Sequence, residues 1–271
     1  MKRGLIFDCD GVIVDVEIQR HLRAFNQVWA ELGIPWRWSD AEYQRALRVS
    51  GGRERLNLLR DDPRFRAVFD VPADPAEWQR LIAAWHRRKT QIYVESLKAG
   101  NVTPRPGVRR LAEDALRAGW RVAVASAGAR DSVRTLVEAA LGAELASRLT
   151  LITGESVRRK KPAPDVFDAA ATAIGVRPER CVVIEDTRNG LLSARASGMT
   201  CVVTPTRLTV HDDFSEAALV ISGLGDPGLP PEVALGGRAS HGNPPYLTLE
   251  ALRRLSETAG AARPDVRSLL R

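Results

Sequence analysis

The sequence predicts an α/β protein, a Rossmann-like parallel sheet with a helical block inserted after its first strand. Three observations carry this. Short apolar, β-branched runs each end abruptly in polar residues, as strands buried on both faces of a parallel sheet should: Leu5-Ile6-Phe7 runs into Asp8, residues 121–125 into Ser126, and 181–184 into Glu185. From Pro104 onward helical and strand patterns alternate, which implies right-handed crossovers with helices on both faces. Between about 17 and 96 the pattern is instead almost wholly helical.

In chain order, Val12 to Val16 reads as a connector. Leu22, Phe25, Val28, Trp29 and Leu32 then recur at three- and four-residue steps, the mark of one buried helix face, and Gly33 closes that helix. Trp78, Leu81, Ile82 and Trp85 repeat the pattern, and the aromatics of this block read as core packing. Next come a helix over Val108 to Ala118 closed by Gly119, the 121–125 strand, and a helix over about 131–141. A strand from Leu149 to Thr153, a helix from Asp165 to Ile174 and the 181–184 strand follow. The last elements are a helix from Gly190 to Ser197 and strands at Cys201 to Val203 and Leu219 to Ile221. Residues 1–16 and 97–225 thus form the expected core and 17–96 the insertion. In the 226–271 tail, Asp226 to Pro245 reads as a Gly/Pro-rich linker. Thr248 reads as the N-cap of a short amphipathic helix that packs on the core or mediates an oligomer.

Chemistry concentrates at the strand ends, where open α/β sheets bind ligands. Asp8 and Asp10 resist joint ionisation unless a cation or a shared proton relieves them, so the pair suggests a metal, acid/base work, or both. Ser126-Ala127-Gly128, Lys161 beside Pro162-Ala163-Pro164, and Glu185-Asp186 add a hydroxyl, an ammonium and a second acidic pair. Taken singly, Ser126 is a helix cap, Lys161 a solvated lysine and Glu185-Asp186 a turn; chance explains one such group easily and all four poorly.

Composition narrows the function classes. The chain has 271 residues, of which 44% are hydrophobic, and a formal net charge of +7. No stretch approaches the ~18 apolar residues of a membrane span, and the first apolar run is cut at Asp8, too soon for a secretory signal. Cys9, Cys181 and Cys201 lie in or beside expected strands without Cys-x-x-Cys spacing, which fits reduced core residues of a cytoplasmic protein. The positive excess would suit steering of an anionic substrate or binding of nucleic-acid phosphates, but the basic residues are scattered and sparsely interleaved with aromatics, so a biased surface composition is favoured over nucleic-acid binding.

The four motifs, in order, resemble those of the haloacid dehalogenase (HAD) superfamily of phosphatases and phosphomutases: Asp8 to Gly11, Ser126, Lys161 before Pro-x-Pro, and Glu185-Asp186 followed by Asn189-Gly190. Within it the chain is similar to the CbbY-like sugar-phosphate phosphatases, through Trp36-Arg37-Trp38-Ser39, Ser50-Gly51-Gly52-Arg53-Glu54-Arg55, Lys89-Thr90-Gln91, Tyr93-Val94-Glu95 and Asp212-Asp213-Phe214-Ser215. The resemblance covers roughly residues 4–225. It implies a HAD core with a specificity-bearing helical cap and a Mg2+-dependent hydrolase of carbohydrate metabolism. Asp8 would be the nucleophile, Asp10 the acid/base, and Ser126 and Lys161 the contacts to the transferring phosphoryl group. Asp8, Asp186 and the Asp10 backbone carbonyl would hold the metal, with Glu185 behind them or as an occasional ligand. Glu17, His21, Gly52, Arg53, Lys89, Ala127 and Gly128 would meet substrate, although one extra residue separates Glu17 from His21 relative to the usual spacing. The expected substrate is a small phosphorylated sugar, a pentulose bisphosphate such as xylulose-1,5-bisphosphate. A sugar phosphomutase on the same scaffold is the alternative, ahead of a non-catalytic or nucleic-acid-binding module. The protein is expected to be a monomer or weak homo-oligomer.

Overall fold

The structure, a computed structural model, describes residues 2–238 and 245–261. Strand β1 (Gly4–Phe7) leads through a loop into a π-helical turn (Glu17–Leu22) and then α1 (Arg23–Glu31), α2 (Asp40–Ala46), α3 (Gly52–Asn57), α4 (Pro63–Arg66) and α5 (Pro75–Ala99). The alternating part follows: α6 (Val108–Arg117), β2 (Arg121–Ala125), α7 (Arg130–Leu141), α8 (Ala143–Ser147), β3 (Thr150–Ile152), α9 (Asp165–Ile174), β4 (Cys181–Glu185), α10 (Arg188–Ala196), β5 (Thr200–Val203) and β6 (Leu219–Ile221). Strand β7 (Ala234–Gly236) and α11 (Leu249–Ala261) complete the described chain.

The sheet has seven strands in the order β3-β2-β1-β4-β5-β6-β7. All neighbours are parallel except β6 and β7. Strict alternation splits the central strands between two cores: Leu5, Phe7, Val124 and Ile184 pack on one face with Leu111, Leu136 and Leu252. Ile6, Ala123 and Val183 pack on the other with Phe167 and Leu191. Burial on both faces is what requires these strands to be apolar until they end.

Register then decides where charge appears. Phe7 pairs with Val124 and with Ile184, so Asp8, Ala125-Ser126 and Glu185-Asp186 emerge side by side at one lip of the sheet.

The helices between β1 and α6 share an aromatic cluster. Trp29 meets Trp38 edge-on at 4.9 Å, and Phe65 and Trp78 both approach Trp85. Helix α2 begins with a capping box between Ser39 and Glu42, and α5 with Asp74 as N-cap before Pro75. No helix of the described residues is long and apolar enough to cross a membrane. All three cysteines are buried and free.

The tail departs from expectation at one point. Where the sequence reads as linker, β7 pairs antiparallel with β6. Its three residues, Ala-Leu-Gly among glycines and prolines, are too short to give a periodic signal. Thr248 does cap α11, accepting from the Ala251 N–H at 3.1 Å. Leu252 and Leu255 are buried against the core, and Arg3 bonds Ser256 at 2.9 Å. Residues 239–244 and 262–271 of the expected linker and tail lie outside the described residues.

Candidate active site

Lys161 is the centre of the site. Its ammonium is buried, and its three protons go to Asp8 Oδ1, Glu185 Oε1 (2.5 Å) and the Ala125 carbonyl (3.2 Å), which exhausts its donors. The two carboxylates outweigh the desolvation of the amine, so its pKa is held above the ordinary lysine value. Glu185 is fully buried, and its other oxygen accepts from the Asp186 and Thr187 N–H groups at 3.0 and 3.2 Å and from the Thr187 hydroxyl at 3.1 Å. That hydroxyl in turn accepts from the Gly190 N–H, capping α10. Thr187 thus anchors the acidic strand end, a role that only the packing reveals.

Asp8, Glu185 and Asp186 place oxygens within 4.8 Å of one another. The Lys161 ammonium pairs with Asp8 and Glu185 and not with Asp186, so negative charge is in excess among the three buried carboxylates. Asp8 and Asp186 respond accordingly: burial, then the neighbouring acids, push both pKa values well up. Among the described residues, Asp186 Oδ1 is buried without a hydrogen-bond partner, and such a group is costly unless something polar fills its place. An all-oxygen donor set with that net charge fits a hard divalent cation.

Gly11 closes this nest. It has φ +85°, and a Cβ there would run into Asp186 Oδ2. Gly11→Ala is expected to add roughly 1–3 kcal/mol of backbone strain and to weaken divalent-cation activation about tenfold or more. A metal titration of turnover, paired with thermal unfolding, checks this; an unchanged titration midpoint would refute the assignment. Arg105 holds the Gly11 carbonyl and bonds the Thr204 carbonyl at 2.9 Å. It tethers the loop after β1 to the end of β5, although in sequence it marks only a turn.

Asp10 sits across the opening. His21 Nε2 lies 3.0 Å from Asp10 Oδ1, and the Tyr93 hydroxyl donates to the same oxygen at 3.3 Å. Lys89 bonds His21 Nδ1, and with Lys89 donating there, Nε2 carries the proton toward Asp10. Burial opposes ionisation of Asp10, but His21, Lys89 and Tyr93 overcome it and its pKa is lowered. Burial pulls Lys89 down to about 8, against the pull of Glu17 and Asp10.

These groups open into a cleft of about 780 Å³ that Asp8, Asp10, Glu17, His21, Gly52, Lys89, Ser126, Ala127, Gly128, Lys161 and Asp186 all line. Ser126 accepts from the Gly128 N–H at 3.0 Å. Glu185 lies beneath the floor, where Lys161 covers it, with an oxygen still within 4.8 Å of those of Asp8 and Asp186. One expected residue is placed elsewhere. Arg53 lines an adjoining cavity together with Arg87 and Lys160, and it is Arg55 that reaches the cleft. Residues two apart on a helix point about 200° apart, so only one of the two arginines of α3 faces inward.

A family model described as haloacid dehalogenase-like hydrolase matches residues 2–198. The chain belongs to that family. The plasmid-borne CbbY protein of Cupriavidus necator is 39% identical over 252 residues, covering 93% of this chain and 95% of that protein. A CBBY-like protein of Arabidopsis thaliana is 37% identical, covering 84% of this chain and 70% of its own length. Among solved structures, a variant of CbbY from Rhodobacter sphaeroides in complex with xylulose-1,5-bisphosphate superposes with TM-score 0.74 at 34% identity, covering 84% and 97% of the two chains. A β-phosphoglucomutase from Clostridium difficile, 21% identical with TM-score 0.62, shares the fold. The chain is thus a HAD hydrolase of the CbbY-like group, and its enzyme class is phosphatase.

Proposed function

We propose that this phosphatase hydrolyses a small phosphorylated sugar, a pentulose bisphosphate such as xylulose-1,5-bisphosphate, with Mg2+ and through an aspartyl phosphate on Asp8. The observation that carries the reading is the floor of the cleft: Asp8 held by Lys161 beside a buried Asp186 oxygen without a partner. The bisphosphate complex of the Rhodobacter sphaeroides relative supports the substrate class.

Asp8, Asp186 and the Asp10 backbone carbonyl would hold Mg2+, which supplies charge neutralisation for an anion attacking an anion. Lys161 orients the Asp8 carboxylate and neutralises the transferring oxygens. An Asp8 oxygen forms a bond to phosphorus while the bond to the sugar oxygen breaks, and Asp10 gives that oxygen its proton. Asp10 then takes a proton from water as the water attacks phosphorus, and Asp8 and free phosphate are restored. The lowered pKa of Asp10 suits the second step; a dianionic phosphate bound beside it raises the pKa by like-charge repulsion and favours the proton needed for the first. Ser126 and the N–H groups of Ala127 and Gly128 would cradle the phosphoryl oxygens. The helical segment 17–96 would act as the cap that selects the sugar.

The test is turnover of xylulose-1,5-bisphosphate with Mg2+, reading inorganic phosphate and the sugar product. Free phosphate in step with substrate loss is expected. Chelation should lower the rate roughly a hundredfold or more, and added Mg2+ should restore it. Isomeric sugar phosphate without free phosphate would establish the mutase instead.

A further inference from the structure

Three elements that are distant in sequence meet at the wall of the cleft. Glu17 starts the π-helical turn after β1, Tyr43 lies on α2 and Arg55 on α3. The Tyr43 hydroxyl donates to Glu17 Oε2 at 2.9 Å and accepts from Arg55 Nη1 at 2.8 Å. The same arginine atom is 4.0 Å from Glu17 Oε2, too far for a direct hydrogen bond. Tyr43 is fully buried and does not line the cleft, whereas Glu17 and Arg55 do. Arg55 is fixed again through Nε to the Val49 carbonyl at 3.1 Å and by its stacking over the Tyr43 ring at 5.5 Å. Phe25 and Trp38 pack around that ring. Among the described residues Arg55 Nη2 and Glu17 Oε1 have no hydrogen-bond partner.

We propose that Tyr43 is a positioning residue for the sugar end of the substrate: its hydroxyl wedges Glu17 and Arg55 apart so that each keeps its outward-facing group free. This rests on the sugar-phosphate reading of the cleft. A carboxylate and a guanidinium at this distance gain most by pairing directly and bidentately. Paired so, they would be closed to ligand. The hydroxyl satisfies one oxygen of the acid and one donor of the base at once. It leaves Glu17 Oε1 to accept from a sugar hydroxyl and Arg55 Nη2 to donate to an anionic group at the far end of the substrate. Burial among aromatics keeps the phenol protonated, with its pKa pushed well above the ordinary value, so the hydroxyl can donate at any working pH.

The test is Tyr43→Phe, which keeps the ring and its packing. For xylulose-1,5-bisphosphate, KM is expected to rise about tenfold with kcat within about twofold, the loss of one hydrogen bond to charged groups. Hydrolysis of p-nitrophenyl phosphate, which has no sugar end, should not change, and neither should the unfolding temperature by more than a few degrees. In a crystal structure of the variant, Arg55 should have moved onto Glu17. In Arg55→Met the same change at Tyr43 should add little, because the two act as one unit. Equal losses on both substrates, or an Arg55 that stays apart from Glu17 in Tyr43→Phe, would overturn the assignment. Failure of the sugar-phosphate reading itself would appear differently, as a wild-type enzyme that releases phosphate from p-nitrophenyl phosphate but not from the bisphosphate, and the crystallographic arm would still decide the role of Tyr43.

Discussion

Asp8→Asn is expected to abolish phosphate release, by about 10⁴-fold or more, and to leave the protein folded. The amide is nearly isosteric with the acid but has no anionic lone pair with which to attack phosphorus, so no aspartyl phosphate can form. Stability should hold because of how the site is charged. Asp8 is one of three clustered buried carboxylates, and it shares one ammonium with Glu185; its own pKa is already pushed up by burial. Replacing it removes a desolvated charge and keeps an oxygen that can accept from Lys161. Thermal unfolding in metal-free buffer should therefore be unchanged or slightly raised, and calorimetry should still detect bisphosphate binding. Residual turnover near the wild-type rate would show that another residue is the nucleophile.

The meeting of the site residues at one lip was legible in the sequence because it depends on register. Strands that are apolar to their last residue and pair in parallel must bring their next residues to the same lip, and Asp8, Ser126 and Glu185-Asp186 each follow such a run. Lys161 required the motif, since nothing in its local pattern distinguishes it from Lys160, which bonds the Gly154 carbonyl nearby. What stayed hidden depends on side-chain direction and on neighbours remote in sequence. Arg53 and Arg55 are two steps apart on a six-residue helix, and no periodicity in so short an element says which faces the cleft. Tyr43, Thr187 and Arg105 act by hydrogen bonds to residues brought near only by the fold. Strand β7 owes its existence to the exposed edge of β6 rather than to its own three residues.

The two buried lysines should respond oppositely to the same substitution. Lys161 gains more from Asp8 and Glu185 than it loses by burial. Its folded pKa is raised, so its stabilisation is fully present below the unfolded value and is lost only as pH rises through the folded one. At pH 7 Lys161→Met strands two buried carboxylates and should destabilise the fold by about 3–5 kcal/mol, with Mg2+ offsetting part of the loss. Lys89 is the reverse case. Burial lowers it from 10.5 to about 8 despite Glu17 and Asp10. Between those values the unfolded chain holds the extra proton, so stability rises with pH across that window, and below it the charged lysine costs about 3 kcal/mol. Lys89→Met forfeits the bond to His21, worth about 1 kcal/mol, and should still leave the fold about 1–2 kcal/mol more stable at pH 7. Activity should fall, because Asp10 and His21 lose the cation that orients them. In the wild type, kcat/KM should decline as pH rises through about 8, and that limb should be missing from the residual activity of Lys89→Met. Denaturant unfolding at pH 7 for both variants decides the matter: a destabilised Lys89→Met, or a Lys161→Met as stable as the wild type, would mean that the roles of the two charges have been assigned wrongly.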